Sequence, residues 1–256
     1  MINKLMWRHG KCKTTFCISF WASYLLRVYE QRHADGLVLH CSGLLDELGV
    51  PHAFTTRLGG VSSGPFASLN LGNPSGELKD DADLIAQNYH RVHSAIGCAR
   101  HTRAWVHQVH GGEVVRMGRD SPNAAPADAM ITDEPQTLLA VRTADCAPIL
   151  LASDDGRIVA AIHAGWRGVV ARIVENTIRT MHFEPAQLTA AVGPCIGLDA
   201  FEVGTEVIDA FRRDLGSDAP VRSRHVDLRE ALRMQLLRAG VRSDRIDVSD
   251  RCTVRD

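Results

Sequence analysis

The sequence predicts an α+β fold, an extensive mixed β-sheet with flanking helices, and three observations carry that reading. Short runs rich in Val, Ile and Leu crowd the centre of the chain between residues 129 and 164, punctuated by the turn signal Asp154-Asp155-Gly156. Other stretches repeat their apolar residues every three to four positions, which is the period of a helix. The two patterns alternate along the chain, as they do where helices and a sheet pack into one layered unit.

In chain order, Lys4, Arg8, Lys11 and Lys13 precede an apolar run over 16–26. That run is shorter than the roughly 20 residues a membrane span needs. Arg27-Val-Tyr-Glu-Gln-Arg32 follows it, where a secretory signal would carry a small-residue cleavage site. Residues 1–40 therefore read as an N-terminal extension and 41–256 as a single domain. Residues 37–39 and 52–56 read as short strands around a helical turn at 44–48. Arg57-Leu-Gly-Gly-Val-Ser-Ser-Gly-Pro65 is a loop able to bring backbone close to a ligand. Asp80-Asp81 open a helix whose apolar face is Leu84, Ile85, Tyr89, Val92, Ala95 and Ile96 and which Gly97 ends. Strands are expected at 105–109 and 113–117, flanking the turn His110-Gly111-Gly112. Central strands follow at 129–132, 138–143, 148–152 and 158–164. Val169, Val170, Ile173, Val174, Ile178 and Met181 share one helical face, so one helix is expected over 166–181, directly after a strand ending at His163-Ala164-Gly165. A strand at 188–192, helices at about 204–214 and 227–239, and a strand at 246–249 complete the set.

With 45% hydrophobic and 23% charged residues and a mean hydropathy of −0.09, the composition is that of a soluble globular protein and excludes a disordered, collagenous or membrane chain. Lys plus Arg total 29 against 30 for Asp plus Glu, so no basic field exists to attract a nucleic-acid backbone. No nucleic-acid or membrane partner is expected. Seven cysteines without a CxxC pair argue for reduced thiols in a cytoplasmic setting over a disulfide framework.

Three strand-end segments carry residues odd for a core: Gln108-Val-His110-Gly, Thr143-Ala-Asp145-Cys146 and Ile162-His163-Ala-Gly-Trp-Arg167-Gly. Imidazole and thiolate are good zinc ligands, and a catalytic zinc takes three protein ligands, leaving a fourth position open. His110, Cys146 and His163 supply that number. Their long separations are not a local metal-binding spacing, so the residues alone leave open a buried structural cysteine with two hydrogen-bonded histidines. Asp145 is a candidate for acid/base work, or a turn carboxylate. Arg57 and Arg167 offer guanidinium forks suited to an anion, Arg167 in the first turn of a helix, though each also reads as a surface arginine. Asn70 and Gln108 can hydrogen-bond a sugar or purine edge, or stabilise turns.

The segments His52-Ala-Phe-Thr-Thr-Arg57-Leu-Gly-Gly-Val-Ser, Ser68-Leu-Asn70-Leu-Gly, Gln108-Val-His110-Gly, Ala127-Asp128-Ala129, Thr143-Ala-Asp145-Cys146, His163-Ala-Gly-Trp-Arg-Gly168, Gly193-Pro-Cys-Ile-Gly197 and Phe201-Glu-Val-Gly204 resemble, in order, the signature of the YfiH family, known as polyphenol oxidase or laccase-domain proteins and as purine nucleoside phosphorylases. The resemblance covers about residues 50–253. It implies a YfiH-like layered fold and places the family's zinc ligands on His110, Cys146 and His163. It further implies phosphorolysis of adenosine, inosine and methylthioadenosine to a purine base and a sugar 1-phosphate, with adenosine deaminase activity besides. The expected partners are then a purine nucleoside and phosphate, in a monomer or small homo-oligomer. Copper-dependent polyphenol oxidation needs more histidines than converge here. An amidase editing peptidoglycan precursors would use the same metal, and a non-enzymatic binding protein is a further reading. Where the family continues past Cys252-Thr253 with an aromatic-Ser and a Thr-Gly-Arg segment, this sequence stops at Asp256, so the resemblance implies a domain truncated by a final strand.

Overall fold

The computed structural model describes residues 29–73, 76–118 and 120–256; the charged and apolar stretch over 4–26 lies outside them. Two antiparallel strands, β1 (Glu30–Ala34) and β2 (Leu37–Cys41), form a hairpin about Asp35-Gly36, both with positive φ. The short helix α1 (Gly43–Glu47) and strand β3 (Phe54–Thr55) follow, β3 pairing with β2. Ser42 caps α1, and the buried carboxylate of Asp247 accepts from the Ser42 hydroxyl and from the Leu44 amide, pinning this end of the chain to the other. The hairpin lies N-terminal to residue 41, where the sequence opens its domain. Strand β1 is unannounced by the sequence because four of its five side chains are exposed, leaving no apolar alternation to read.

Helix α2 (Ala82–Ala95) runs as expected from an Asp81 cap to a Gly97 stop with φ +75. Its Val92 packs on Leu37, Leu39 and Leu69. The Gly-rich loop before it brings backbone against backbone, not against an open site. A Cβ on Gly59 would lie 2.3 Å from the Gly36 carbonyl oxygen, and one on Gly60 2.0 Å from that of Ser68.

Strand β4 (Thr102–Ala104) comes earlier than the expected 105–109 and pairs with β7 (Thr137–Leu139). The expected strand is reduced to a single bridge from His107 to Pro126 because the amides on either side go to side chains, Trp105 N–H to Asn123 Oδ1 and Val109 N–H to Asp128 Oδ2. The second half of 138–143 leaves β7 because the Arg142 backbone is bonded by the Gln108 side chain in place of a neighbouring strand.

The main sheet has six strands: β5 (Val114–Arg116), β6 (Ala129–Thr132), β8 (Ala147–Ser153), β9 (Val159–Ala164), β10 (Leu188–Val192) and β13 (Ile246–Val248), ordered β13-β10-β8-β9-β6-β5. The two outer pairs are parallel and the three inner pairings antiparallel. A separate two-stranded ribbon, β11 (Val221–Arg222) with β12 (His225–Val226), stands beside it. β6, β9 and β10 are apolar on both faces because both faces are covered. On one side lie α3 (Trp166–Val170), α4 (Ile173–Met181), α5 (Thr205–Leu215) and α6 (Leu228–Arg238), with Val169, Ile173, Ile178, Phe211, Leu232 and Leu236 in the core. On the other side, Leu45 and Phe54 pack on Ala152 and Ala191, and Ala104, Val106 and Met117 pack on Met130.

The one helix expected over 166–181 is two. Ala171 caps α3, and Arg172 takes a left-handed conformation at φ 56 before α4 starts. The break sits where the His110-Gly111-Gly112 turn packs: a Cβ on Gly112 would lie 2.7 Å from the Ala171 carbonyl oxygen, and the Asn176 amide donates to both Gly112 O and Ala171 O. Arg172 is held in place by its ion pair with Asp214 at 2.7 Å.

Candidate metal centre

Antiparallel pairing of β8 with β9 places Pro148 opposite His163 and Ala147 opposite Ala164. Cys146, one residue before β8, therefore meets the end of β9. Pairing of β6 with β9 sets Ala129 opposite Ile162, and the His163 N–H donates to the Asp128 carbonyl at 2.7 Å. His110 arrives from the turn ahead of β5, itself left-handed at φ 60. The result is that the ligand atoms of His110, Cys146 and His163 all lie within 4.8 Å of one another. Among the described residues this is the one such group of three or more. The two imidazoles meet edge to face, with centroids 4.8 Å apart and planes at 84°.

Gly165, the first residue after β9, completes the enclosure by having no side chain. A Cβ there would lie 2.8 Å from Cys146 Sγ and 3.3 Å from His110 Cδ2. Asp128 is fully buried and its carboxylate accepts from His163 Nδ1 at 2.7 Å, from the Val109 and His110 amides at 3.2 and 3.0 Å, and from the Gly111 amide at 2.7 Å. Sequence reasoning missed a role for this residue. The available signal was a lone carboxylate in Ala127-Asp128-Ala129, directly ahead of a fully buried strand.

Burial pushes the Cys146 thiol up, and the charges of Asp145 and Asp128 add to that. Burial also pushes the His163 imidazole down; the hydrogen bond and charge of Asp128 oppose this, and His110 reinforces it. An imidazole held toward its neutral form, as at His163, suits a cation, and a cation in turn favours the thiolate that burial disfavours. Two imidazoles and one thiol whose ligand atoms lie within 4.8 Å of one another are a donor set that fits a borderline-soft divalent ion and leaves one coordination position open.

His110 also borders a cavity of about 1930 Å³, and Arg57, Asn70 and Gln108 line the same cavity. The Arg57 guanidinium donates to Ala67 O at 2.9 Å through one nitrogen. Asn70 is engaged within the protein: its amide donates to Asp80 and its oxygen accepts from the Gly72 N–H. Gln108 forms a two-point clamp on Arg142, donating to its carbonyl at 2.7 Å and accepting from its N–H at 2.8 Å. Both carboxamides are thus engaged within the protein, and Gln108 ties the His110 turn to the loop that carries Cys146. Asp145 and Arg167 lie outside the cavity lining. Asp145 is exposed, and its Oδ1 accepts from the Thr253 hydroxyl at 2.7 Å. Arg167 sits in α3, its guanidinium 4.4 Å above the Trp166 ring. Cys41, Cys98, Cys146, Cys195 and Cys252 are free thiols. Cys195 is wholly buried, its thiol pushed up to about 12 mainly by that burial. No helix among the described residues is long and apolar enough to cross a membrane.

Fold and site together define an α+β protein with a three-donor metal-type centre at the strand ends of a mixed sheet. Residues 51–256 match the family described as multi-copper polyphenol oxidoreductase laccase, and the chain belongs to it, the YfiH family whose motifs it carries. It is 43% identical over 212 residues to a purine nucleoside phosphorylase of Deinococcus radiodurans, covering 80% of this chain and 81% of the relative. It is 38% identical over 213 residues to the purine nucleoside phosphorylase YfiH of Escherichia coli, covering 80% and 84%. Its fold is similar to that of YlmD from Geobacillus stearothermophilus, with a TM-score of 0.78, 32% identity, and 89% of each chain covered.

Proposed function

We propose that this protein is a zinc-dependent purine nucleoside phosphorylase, with adenosine deaminase activity at the same centre. The observation that carries the reading is the convergence of His110, Cys146 and His163 at the edge of a cavity; the names of the relatives supply the substrate class. The three side chains hold the ion, and zinc bound there supplies Lewis acidity. Phosphorolysis needs an anion held in line with the bond to the leaving purine, while positive charge builds on the sugar. Arg57, which lines the cavity and has one guanidinium nitrogen spent on Ala67 O, binds that phosphate. Arg167 assists from the first turn of α3, which starts beside Cys146. Asp145 holds or releases a proton at Oδ2, since its Oδ1 is occupied by Thr253. Gln108 and Asn70 keep the surrounding loops in register.

The test is chromatographic turnover of adenosine and inosine by zinc-quantified protein, with and without phosphate, beside Cys146→Ala. Phosphate-dependent purine release that disappears in the variant is the expected result. Release of free purine that ignores phosphate, or turnover that survives in Cys146→Ala, overturns the proposal; conversion of adenosine to inosine without phosphate is the deaminase activity it includes. Arg57→Ala is expected to raise the KM for phosphate more than that for the nucleoside.

A further inference from the structure

The carboxylate of Asp128 collects four N–H donors from two segments that approach the metal centre from opposite directions. Its Oδ1 accepts from His163 Nδ1 and the His110 amide; its Oδ2 accepts from the Val109 and Gly111 amides. Its backbone is engaged as well, its N–H donating to Glu113 O at 3.1 Å and its carbonyl accepting from the His163 N–H. A fully buried side chain so completely satisfied has one orientation. From this geometry we infer that Asp128 is a positioning residue: it holds His163 as the Nδ1–H tautomer, leaving Nε2 bare for the ion, and pins the left-handed His110 turn so that both imidazoles address one point.

The physical argument is one of acceptors. An ionised carboxylate only accepts, so the imidazole nitrogen facing it is the one that carries the proton. A neutral imidazole with its proton on Nδ1 has its lone pair on Nε2. Three consecutive amides, at 109, 110 and 111, converge on the same carboxylate, as in an anion-binding nest. That convergence stabilises His110 at φ 60, where a residue other than glycine is rarely found. One side chain thereby sets the orientation of two ligands that are far apart in sequence.

Asp128→Asn separates this role from simple packing, because asparagine matches the shape but cannot accept at both positions. With its oxygen kept toward Val109 and Gly111, its amide group faces His163 Nδ1, which must then accept and move its proton to Nε2. Ligation by Nε2 is then blocked, and the His110 amide, which faces the same NH2 group, loses its acceptor.

The inference rests on the metal reading above for its consequence, but its first test needs no metal. Zinc-free protein carrying 15N-histidine is examined by long-range 1H–15N correlation, His163 being assigned from the signals lost in His163→Gln. Wild type is expected to show Nδ1 protonated and Nε2 bare, Asp128→Asn the reverse. Competition with a chromophoric chelator is then expected to give a Zn2+ affinity about 10- to 100-fold weaker in Asp128→Asn than in wild type. A wild-type His163 protonated at Nε2 overturns the inference, even if the variant fails to fold. So does an Asp128→Asn protein with unchanged tautomer and unchanged affinity. Wild type that shows the Nδ1–H tautomer but binds no Zn2+ supports the tautomer assignment and overturns the metal reading instead.

Discussion

Gly165→Ala is the substitution that most directly interrogates the metal centre. The backbone of Gly165 sits at φ −78, ψ 174, a conformation alanine adopts freely. The added methyl would nevertheless lie 2.8 Å from Cys146 Sγ and 3.3 Å from His110 Cδ2. Non-bonded heavy atoms settle at about 3.5–4.0 Å, so the thiol must retreat by roughly 1 Å. A zinc–thiolate bond of about 2.3 Å tolerates displacement of about 0.2 Å, and the retreat is several times that. The expected outcome is a Zn2+ affinity lower by about 100-fold, or ~2.8 kcal/mol. Overpacking costs a further ~1–3 kcal/mol of stability. Affinity is read by chelator competition and stability by thermal melting of the zinc-free protein. Gly43→Ala is the control, since no heavy atom lies within 4 Å of its added methyl. A Gly165→Ala protein that binds Zn2+ as tightly as wild type refutes the placement of Cys146 as a ligand.

Removing the clamp in Gln108→Ala is expected to cost ~1 kcal/mol, read as a drop of about 2–4 °C in Tm, and to weaken Zn2+ binding more than a surface substitution of equal cost does. Zinc is expected to protect Cys146 from iodoacetamide at pH 8, while Cys195, pushed up to about 12 by burial, stays unmodified with or without the ion; peptide mass spectrometry reads both sites. Burial holds the His52 imidazole below its ordinary value, its Nδ1 donating to Val50 O and its Nε2 accepting from the Ser42 N–H. The unfolded chain therefore takes up the proton first: the stability this residue contributes is present above about pH 6.5 and is lost as pH falls through its lower folded-state value. Denaturation midpoints should decline as pH falls from 7 toward 5, with a shallower decline in His52→Asn, and a parallel decline in the two proteins contradicts the assignment.

Elements defined by local chemistry were legible in the sequence. Helix α2 is announced by Asp81 and Gly97, and the strands at 129–132 and 188–192 by apolar runs free of charge, Gly and Pro, because cap, stop and core face lie within the segment itself. What was not legible depends on partners elsewhere. The apolar spacing over 166–181 survives the break at Arg172, whose cause is a turn from residues 110–112 packing against Ala171. The segment 105–109 alternates like a strand, but the amides of Trp105 and Val109 are taken by the side chains of Asn123 and Asp128. The metal ligands show the same division. Their residue types were readable, and the turn at Asp154-Asp155-Gly156 joins the strands that bring Cys146 to His163, but the arrival of His110 follows from its turn docking on Ala171 and Asp128, which no spacing along the chain reports. Asp128 was hidden for the same reason, since its four donors come from residues 109–111 and 163.

His110, Cys146 and His163 come from three strand ends, and no two of them are neighbours until β8 and β9 have zipped and the 110–112 turn has docked on α3. The unfolded chain therefore offers no preformed trap for an ion, and a complete site has to wait for the long-range docking of the 110–112 turn, since contacts distant in sequence form slowly. An ion taken up at the end of folding acts as a clasp: it binds the native state and not the unfolded one, so each tenfold excess over its dissociation constant adds ~1.4 kcal/mol of stability. Uptake of metal by a refolding sample would thus time the closing of the central sheet.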